Sequence, residues 1–369
     1  MAERVAIFIS TPAQFHFYKN IVDALEKRGV EVRLLIRDYG ETLEVLERYD
    51  GFVFSKVRTN WDRIYKLPAD VIRARNYLKD FKPDLVTGFE IYAPYTAKLL
   101  GTRSFVFYDS EPRVNRLLSV QIRAYMPFVD AVITPSAYLD DLGNKHLRVD
   151  TFKELSYLHP GYFVPDRSVI DELETSENEF AIFRFNAFDA AHDVGLKGFG
   201  TEEKIALVNE LEKYVDVFIS AEGNVVPKSL KPHVIDGSLK KKIHHLLHFA
   251  RLAVCETGTM STEAALLGTP TVLVHPKAFD FGVFKELEER YGLLYRFDGS
   301  NSKNILRKCV DLVSRDNVNG EWRHKRTKVL REKIDILKFM IWFIESYPVS
   351  LEEFCENPHV QYRFSFKLN

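Results

Sequence analysis

The chain has 369 residues, of which 46% are hydrophobic and 28% are charged, and its formal net charge at pH 7 is −1. This length and composition predict a soluble, globular protein with about two domains, taking roughly 150 residues for each. The near-zero net charge argues against a dedicated nucleic-acid binder, which carries a basic excess. Cys255, Cys309 and Cys355 lie far apart and form no CxxC pair, which argues against a disulfide framework and a cysteine zinc site.

The apolar runs of the sequence are short. The N-terminal segment MAERVAIFIS has too short an apolar run for a signal peptide and no small-residue cleavage pattern. The most apolar helical segment, ILKFMIWFIESY, is shorter than the ~20 apolar residues of a membrane span. We therefore predict a cytoplasmic protein. The basic start and apolar end of this C-terminal segment leave a peripheral membrane contact as an alternative.

Strands and helices alternate through the first part of the chain. The strand RVAIFIS (4–10) is followed by a predicted helix over 17–29 and a strand over 30–37. The alternation continues through the strands GFVFS, DLVTGF, SFVFYD and AVITPS. This rhythm predicts a parallel sheet flanked by helices, in a Rossmann-like domain over residues 1–160. The segment YLHPGYFVPD then supplies the prolines and aromatics of a linker.

The same alternation restarts after the linker. FAIFRF (180–185) and VDVFISAE are predicted strands separated by a helix, and a predicted helix over 238–249 leads to the strand RLAVCE. A further helix and the strand TPTVLVH follow. The pattern predicts a second Rossmann-type domain over 161–335. We expect an α/β fold in which two parallel-sheet domains face each other across a deep cleft, where ligands bind beyond the carboxyl ends of the strands.

The stretch CETGTMSTEAALLG (255–268) joins a predicted strand to a predicted helix that begins at Ser261. Its candidate ligand-binding residues are Thr257, Gly258, Thr259, Ser261 and Glu263. The hydroxyls lie beside the free N–H groups of a helix start, which favour phosphate, and the glycine allows close approach or a positive φ. The carboxylate can accept hydrogen bonds from ribose hydroxyls. The alternative is an ordinary helix cap, with the glutamate complementing the helix dipole.

This stretch resembles the nucleotide-binding segment of GT-B glycosyltransferases and of non-hydrolysing UDP-N-acetylglucosamine 2-epimerases, although Thr259 replaces the second glycine of the epimerase pattern. The chain is also similar to an uncharacterised, mainly archaeal family related to these enzymes. The segments that carry this resemblance are FHFYKNIVDALEKRGVEV, FVFYDSEP, FKELSYLHP, FNAFDAAHDVGLKG and GTMSTEAALLGTP.

The resemblance implies a GT-B-like fold. It implies that Thr257, Gly258 and Thr259 contact a diphosphate and that Glu263 contacts the ribose. It also implies that the final helix and tail, residues 336–369, cross back to the first domain. That would account for the apolar segment MIWFIES without a membrane.

His16 is the first candidate catalytic residue of the N-terminal domain. It lies in STPAQFHF (10–17), which follows the first strand, and histidine titrates near neutrality, as a general base requires. The resemblance strengthens this prediction, because glycosyltransferases of the peptidoglycan type carry a histidine in the same loop. The alternative is a histidine packed among the aromatic residues at the start of the helix.

Asp109 and Glu111 are further catalytic candidates in the segment FYDSEPRVNR, which also follows a strand. Neighbouring carboxylates push one pKa upward, which suits acid–base chemistry. In the related epimerases a catalytic glutamate lies in the corresponding loop. The alternative is a cap on the following helix, closed by Glu111. Glu90 and Tyr92 end the preceding strand and are weaker candidates.

Arg184 and Asn186 are the candidates at the start of the second domain, in FRFNAFDAAHDVGLKG (183–198). Together with His192 and Lys197 they offer positive charge and hydrogen-bond donors to a diphosphate leaving group. GT-B enzymes commonly use an arginine or histidine in this loop. Alternatively, the arginine belongs to the strand and pairs with an internal acid.

The segment KKKIHHLLHF places His244 and His248 one helical turn apart, but no third zinc ligand is indicated. We interpret these histidines as part of a solvated helix face. We expect no required metal and no cofactor, with a UDP-sugar as substrate.

Three functions remain open. The favoured one is an inverting glycosyltransferase that uses a nucleotide sugar, with a UDP-sugar as the expected donor. The sequence does not identify its acceptor; the candidates are a lipid-linked acceptor and a cell-surface glycan. The second is an enzyme like the non-hydrolysing UDP-N-acetylglucosamine 2-epimerases, in which Asp109 and Glu111 would move protons. The third is a nucleotide-sugar-binding protein without chemistry of its own. The first is favoured because STPAQFHF lacks the arginine-bearing turn of the epimerases.

Overall fold

A computed structural model of the chain describes residues 2–39, 42–46, 49–56, 60–114, 116–186, 199–221 and 226–366. The chain divides into two compact units. Unit 1 combines Met1–Tyr157 with Lys333–Asn369, and unit 2 is Leu158–Glu332.

Unit 1 is built on a seven-stranded sheet with the order β3-β2-β1-β4-β5-β6-β7, in which every pairing is parallel. Its central strands are buried apolar runs, as expected for a parallel sheet covered on both faces. The strands are β1 (Arg4–Ile9), β2 (Glu31–Asp38), β3 (Gly51–Lys56), β4 (Leu85–Gly88), β5 (Arg103–Phe107), β6 (Ala131–Pro135) and β7 (His146–Val149).

The strand order of unit 1 reverses between β1 and β4, which defines the topological switch point where open α/β sheets bind ligands. The loop after β1 leads into the first helix, which Thr11 caps through its hydroxyl and Pro12 begins. The connecting helices are α1 (Pro12–Lys27), α2 (Thr42–Val45), α3 (Asn60–Leu78), α4 (Tyr92–Leu100), α5 (Arg116–Tyr125) and α6 (Leu155–Leu158).

Unit 2 contains a five-stranded parallel sheet with the order β12-β11-β10-β8-β9, so its switch point lies between β8 and β10. The strands are β8 (Phe180–Phe185), β9 (Asp216–Ala221), β10 (Leu252–Cys255), β11 (Thr271–Val274) and β12 (Leu294–Phe297). The helices are α7 (Ser168–Glu172), α8 (Thr201–Leu211), α9 (Gly237–Lys241), α10 (Ile243–Phe249), α11 (Gly258–Leu267), α12 (Gly282–Lys285), α13 (Ser302–Ser314) and α14 (Val318–Glu332), and Glu286–Arg290 forms a π-helical turn.

The C-terminal segment forms α15 (Ile336–Glu345) and α16 (Val349–Glu356) and belongs to unit 1. Helix α15 packs against α1, and the ring of Phe343 meets Phe105 of β5 edge-on at 5.1 Å. Seven of the ten α15 residues are buried. The apolar end of this segment is therefore an internal surface of unit 1, which removes it as a membrane contact.

Several elements differ from the sequence predictions. Helix α11 begins at Gly258, three residues before the predicted start, because Thr257 already has the extended backbone of a helix N-cap. The predicted helix over 238–249 breaks at Lys242 into α9 and α10. Strand β7 and helix α5 were not predicted. β7 is only four residues long, and such a short run gives too few alternations for a pattern.

Candidate functional site

The first turn of α11 lies at the switch point of unit 2, directly after β10. Thr257 is the N-cap, with φ −112° and ψ 137°, and its side chain makes no capping hydrogen bond. Thr257, Gly258 and Thr259 are each partly exposed. The first N–H groups of a helix have no intrahelical acceptor, so this turn presents donors and the positive end of a helix dipole. An anion is the ligand that this geometry suits.

Packing inside unit 2 requires a glycine at position 258. Its φ is not positive, because the residue already lies in the helix. A Cβ at this position would lie 2.5 Å from Cζ of Phe284, which is closer than atoms can approach. The glycine is therefore required by the ring of Phe284 on α12, a neighbour that the sequence pattern did not reveal.

Ser261 is buried and faces its own helix. Its Oγ donates to the carbonyl of Gly258 at 2.7 Å, and the hydroxyl of Thr262 donates to the same carbonyl at 3.1 Å. Both are the back-bonds that hydroxyl residues make inside helices. Ser261 is therefore buried within the helix, whereas residues 257–259 are partly exposed.

Glu263 is paired with a histidine from the neighbouring helix. Its Oε1 lies 3.0 Å from Nε2 of His244 on α10, and the side chain of Glu263 is only 6% exposed. The interpretation of His244 as part of a solvated helix face is therefore wrong: the histidine faces α11. His248, one turn further along, has its Nδ1 buried. The pair gives the buried carboxylate of Glu263 a fixed orientation.

Glu256 connects the turn to Asn186, which follows β8, and to Phe199. Its carboxylate accepts from the backbone N–H of Asn186 at 2.8 Å and of Phe199 at 2.9 Å, and the Lys204 ammonium lies 2.9 Å away. Burial raises the pKa of Glu256, although Lys204 and the two N–H groups oppose this shift. Glu256 thereby holds both ends of the segment 187–198, and His192 and Lys197 lie outside the described residues.

Arg184 lies on β8 beside the turn. In the register of the sheet it stands between Cys255 of β10 and Ser220 of β9. Its guanidinium donates to the hydroxyl of Ser220 at 3.0 Å. The structure thus brings Arg184, Asn186 and Thr257 to the same sheet edge.

His16 lies on α1, near the carboxyl end of β1 in unit 1. Its ring packs between the rings of Phe15, at 6.1 Å, and Tyr157, at 5.4 Å, and the residue is half-buried. A partly exposed imidazole held by aromatic neighbours has a defined orientation and keeps access to solvent, as a general base needs.

The segment after β5 separates its two carboxylates. Asp109 is partly exposed and forms an ion pair with Lys153, whereas Glu111 is fully buried. The carbonyl of Ser110 between them accepts from the hydroxyl of Tyr138 at 3.1 Å. Of the two carboxylates, Asp109 is the one that a ligand at the sheet edge can reach.

Lys153 and Tyr157 were missed as site residues. They lie four residues apart in the segment that includes α6, where Lys153 contacts Asp109 and Tyr157 contacts His16. One short segment thus contacts two of the catalytic candidates, Asp109 and His16. A signal was present, because FKELSYLHP belongs to the motifs that carry the family resemblance, although no chemical role followed from its residues.

A buried ion cluster lies at the switch point of unit 1. Oε1 of Glu90, after β4, accepts from Arg37 of β2 at 2.8 Å and from Arg63 of α3 at 2.7 Å. Burial would raise the pKa of Glu90, but the two guanidinium groups outweigh it and lower this pKa to about 2. Arg37 also donates to the carbonyl of Ser10. The cluster links strand β2 and helix α3 to the residues that follow β1 and β4.

Within the part of the chain that the structure describes, no group of three or more histidine, cysteine, aspartate or glutamate side chains is arranged to hold a metal ion. Among the same residues, no helix is both long and apolar enough to cross a membrane.

Comparison with known proteins finds similarity to a glycosyltransferase family model and to an uncharacterized archaeal protein. Residues 16–162 match the sequence model of Glycosyltransferase Family 4. An uncharacterized protein from Methanocaldococcus jannaschii is 23% identical over 319 residues, which cover 80% of this chain and 88% of that protein. This confirms the resemblance to an uncharacterised archaeal protein.

Solved structures share the fold over almost the whole chain. The S. aureus MnaA–UDP structure has a TM-score of 0.67 at 12% identity and covers 95% of this chain and 97% of its own. Spinosyn forosaminyltransferase SpnP has a TM-score of 0.62 at 13% identity and covers 94% of this chain and 100% of its own. A putative UDP-N-acetylglucosamine 2-epimerase from Listeria monocytogenes has a TM-score of 0.65 at 14% identity, with 94% and 97% covered. These likenesses confirm the predicted GT-B-like α/β fold.

Proposed function

We propose, from the match of residues 16–162 to Glycosyltransferase Family 4, that this protein is a glycosyltransferase that uses a nucleotide sugar. The finer part of the proposal is a UDP-sugar donor and inversion at the transferred carbon. The match supports the proposal because its family is one of glycosyltransferases; it covers most of the first part of unit 1 and ends just inside unit 2. The overall fold does not distinguish a transferase from an epimerase, since both kinds of enzyme are among its structural neighbours.

Unit 2 is proposed to bind the donor. The diphosphate would lie on the first turn of α11, contacted by N–H groups and by the hydroxyls of Thr257 and Thr259, with Glu263 accepting from the ribose. Arg184 and Asn186, at the adjacent strand end, would offset the charge of the leaving diphosphate. This assignment is supported by the exposure of the turn and by the convergence of β8 and β10 at the switch point. Ser261 would support the turn from within the helix.

Unit 1 is proposed to bind the acceptor, with His16 as the general base. The acceptor hydroxyl oxygen would bond to the anomeric carbon, while the bond from that carbon to the diphosphate oxygen breaks. His16 takes the hydroxyl proton, and UDP leaves with the electron pair. A single displacement of this kind inverts the configuration. Asp109 would orient the acceptor, and the ion pair with Lys153 would fix the position of the Asp109 carboxylate. The buried Glu111 would stabilise the same segment from inside the unit.

Two other functions are kept as outcomes of the test. A 2-epimerase is supported by the similarity in fold to the putative UDP-N-acetylglucosamine 2-epimerase from Listeria monocytogenes and by the carboxylates of Asp109 and Glu111 after β5. It would act on the bound sugar nucleotide with no acceptor. A nucleotide-sugar-binding protein would show saturable binding and no product.

The test is calorimetric titration of UDP and UDP-N-acetylglucosamine into the wild type and Glu263→Ala, without added metal. We expect binding that weakens by about tenfold or more in the variant, since a lost hydrogen bond to a charged group costs about 1.4 kcal/mol or more. The control is Glu210→Ala, which removes a partly exposed glutamate of α8 in the same unit and should bind as the wild type does.

The second measurement follows the nucleotide sugar itself. Release of UDP that requires an added acceptor alcohol or lipid supports the transferase. Conversion of UDP-N-acetylglucosamine to its 2-epimer in the absence of acceptor contradicts it and establishes the epimerase. If neither UDP ligand binds, the donor proposal is wrong, and titration with dTDP, GDP, ADP and CMP identifies the base.

A further inference from the structure

Two neighbouring histidines of α10 contact different parts of unit 2. Nε2 of His244 lies 3.0 Å from the carboxylate of Glu263 on α11, and the two side chains are 14% and 6% exposed. The ring of His245 packs on Phe163 at 4.9 Å, and its Nδ1 accepts from the N–H of Asp166. The first of these histidines therefore contacts the helix whose first turn is the candidate anion site.

The hydrogen bond between His244 and Glu263 determines which ring nitrogen carries a proton. An ionised carboxylate only accepts hydrogen bonds, so Nε2 of His244 must be the donor. The ring is then either the neutral Nε2–H tautomer or the imidazolium, and both forms donate to Oε1 of Glu263. A hydrogen bond to an ionised acceptor is short and strong, and burial from water strengthens it. The bond therefore sets the direction of the carboxylate.

Helix α10 is itself held firmly in unit 2. Leu246 and Leu247, which follow His244 on the helix, are fully buried. The hydroxyl of Thr269, just beyond the end of α11, donates to the carbonyl of Leu247 at 2.5 Å. The donor to Glu263 thus belongs to a helix whose position relative to α11 is fixed by packing and by a hydrogen bond.

We propose that His244 is a positioning residue for recognition of the ribose of the nucleotide donor. The inference rests on the proposed function, in which Glu263 accepts from a ribose hydroxyl. The two oxygens of a carboxylate offer about four lone pairs, so the bond from the histidine leaves acceptor capacity for a ligand. His244 does not contact the nucleotide in this arrangement, and it acts by holding the carboxylate in the orientation that the hydroxyl meets.

A positioned carboxylate makes the site selective for ribose over deoxyribose. A site built to hydrogen-bond a hydroxyl disfavours the analogue that lacks this hydroxyl, because its buried polar group is then left without the bond. Without the donor from His244 the carboxylate of Glu263 can rotate or take up a proton, and the selectivity falls. Contacts of a diphosphate with the first turn of α11 do not involve the histidine, so they should persist.

The experiment is calorimetric titration of the full chain with UDP, 2′-deoxy-UDP, 3′-deoxy-UDP and inorganic pyrophosphate. The wild type should bind UDP about tenfold or more tightly than at least one of the two deoxynucleotides, the factor for one hydrogen bond to a charged group. In His244→Leu this ratio should fall toward one. The pyrophosphate affinity of the variant should remain within about threefold of the wild type, since pyrophosphate has no ribose.

Two further variants separate positioning from packing. His244→Gln places an amide N–H close to the position of Nε2 and should keep the ratio within about threefold of the wild-type value. His245→Leu removes the adjacent histidine of the same helix and should leave the ratio unchanged. Urea unfolding of each variant shows that it is folded.

An unchanged ratio in His244→Leu, with UDP binding retained, overturns the inference and leaves the donor proposal intact. A parallel loss of affinity for UDP, both deoxynucleotides and pyrophosphate also overturns it, because the histidine would then support the packing of unit 2 as a whole. If the wild type does not bind UDP, the donor proposal is wrong and the inference falls with it, a result that is seen before any substitution is made.

Discussion

At the scale of single residues, the acids at the two sheet edges are held by partners from other elements. Glu256 accepts from Asn186 and Phe199, Glu263 faces His244, and Glu90 lies between two arginines. A carboxylate bound in this way fixes the loops that carry it, because each partner comes from a different part of the chain. Such acids organise a site even where they do not transfer protons.

The lowered pKa of Glu90 predicts how the stability of the protein depends on pH. The folded-state pKa of Glu90, about 2, lies below the ordinary value of 4.5. The contribution of this carboxylate to the free energy of unfolding is therefore fully present above pH 4.5 and is lost as pH falls from 4.5 toward 2. Glu90→Gln leaves Arg37 buried without its counter-charge. We expect a loss of about 3 kcal/mol in the free energy of unfolding at pH 7, measured by urea titration.

Urea titration at lower pH tests whether the stabilisation by Glu90 decreases with falling pH, as its lowered pKa predicts. Below pH 4.5 the difference between the wild type and Glu90→Gln should shrink, because Glu90 of the unfolded wild type then binds a proton, which stabilises the unfolded state, whereas the glutamine of the variant does not titrate. The control is Glu353→Gln in an exposed pair with Arg363, which should change stability by less than about 1 kcal/mol. A difference that stays constant down to pH 3 would show that Glu90 acts through shape and not through charge.

At the scale of elements, the first turn of α11 combines a ligand-like geometry with tight internal packing. Its outer side exposes Thr257 and Thr259, while its inner side meets Phe284 through Gly258. The strand β10 ends immediately before it, so the turn cannot shift along the sheet without breaking the hydrogen bonds of Glu256. This rigidity is the property that a preorganised anion site requires.

Gly258→Ala should destabilise unit 2 by about 1–3 kcal/mol, because the new methyl group meets the ring of Phe284. The matched control is Gly237→Ala at the first position of α9, where no atom lies within 4 Å of the added Cβ. That change should be neutral or stabilising by up to about 1 kcal/mol, from helix propensity. Thermal unfolding of both variants and of Gly258→Ala/Phe284→Leu measures the effect. If the smaller leucine does not restore stability, the Phe284 contact is not the cause.

At the scale of the whole molecule, the chain leaves unit 1 at Tyr157 and returns to it at Lys333. The returning residues are bound by specific contacts: Lys333 pairs with Asp150 at 2.7 Å, and the N–H of Ile334 donates to the carbonyl of the same aspartate. Unit 1 is thus completed by residues from both ends of the sequence, which couples its stability to the C-terminal helices.

Phe343→Ala should therefore destabilise unit 1, although the residue lies near the end of the chain. Its ring is fully buried and contacts Phe105, Phe339 and Tyr347. We expect a loss of about 3–5 kcal/mol, typical of removing a buried phenylalanine ring. Hydrogen exchange of β5 amides reports unit 1 directly, and Phe279→Ala, at a position 54% exposed, is the control. Unchanged protection of β5 would mean that α15 is dispensable for this sheet.

The sequence was informative wherever a local pattern carries the physics. Apolar runs between helical repeats predicted most strands of both sheets, and the GTMSTEAALLG segment indicated the turn at the unit-2 switch point. Patterns shorter than a few residues failed, as for β7. The sequence also did not predict which polar residues are buried. Ser261 and Glu111 have the chemistry of ligand-binding residues, yet both are buried in the fold.

What the sequence determined by itself was the α/β class, the GT-B-like fold and the set of polar residues that follow strands, because these depend on the order of residues along the chain. The tertiary structure decided which of those residues meet. It joined Lys153 to Asp109, Tyr157 to His16 and His244 to Glu263. It also buried most of α15 and left Ile64, Tyr65 and Ile72 of α3 exposed. Burial depends on which apolar surface finds a partner in the folded chain and not on apolar content alone.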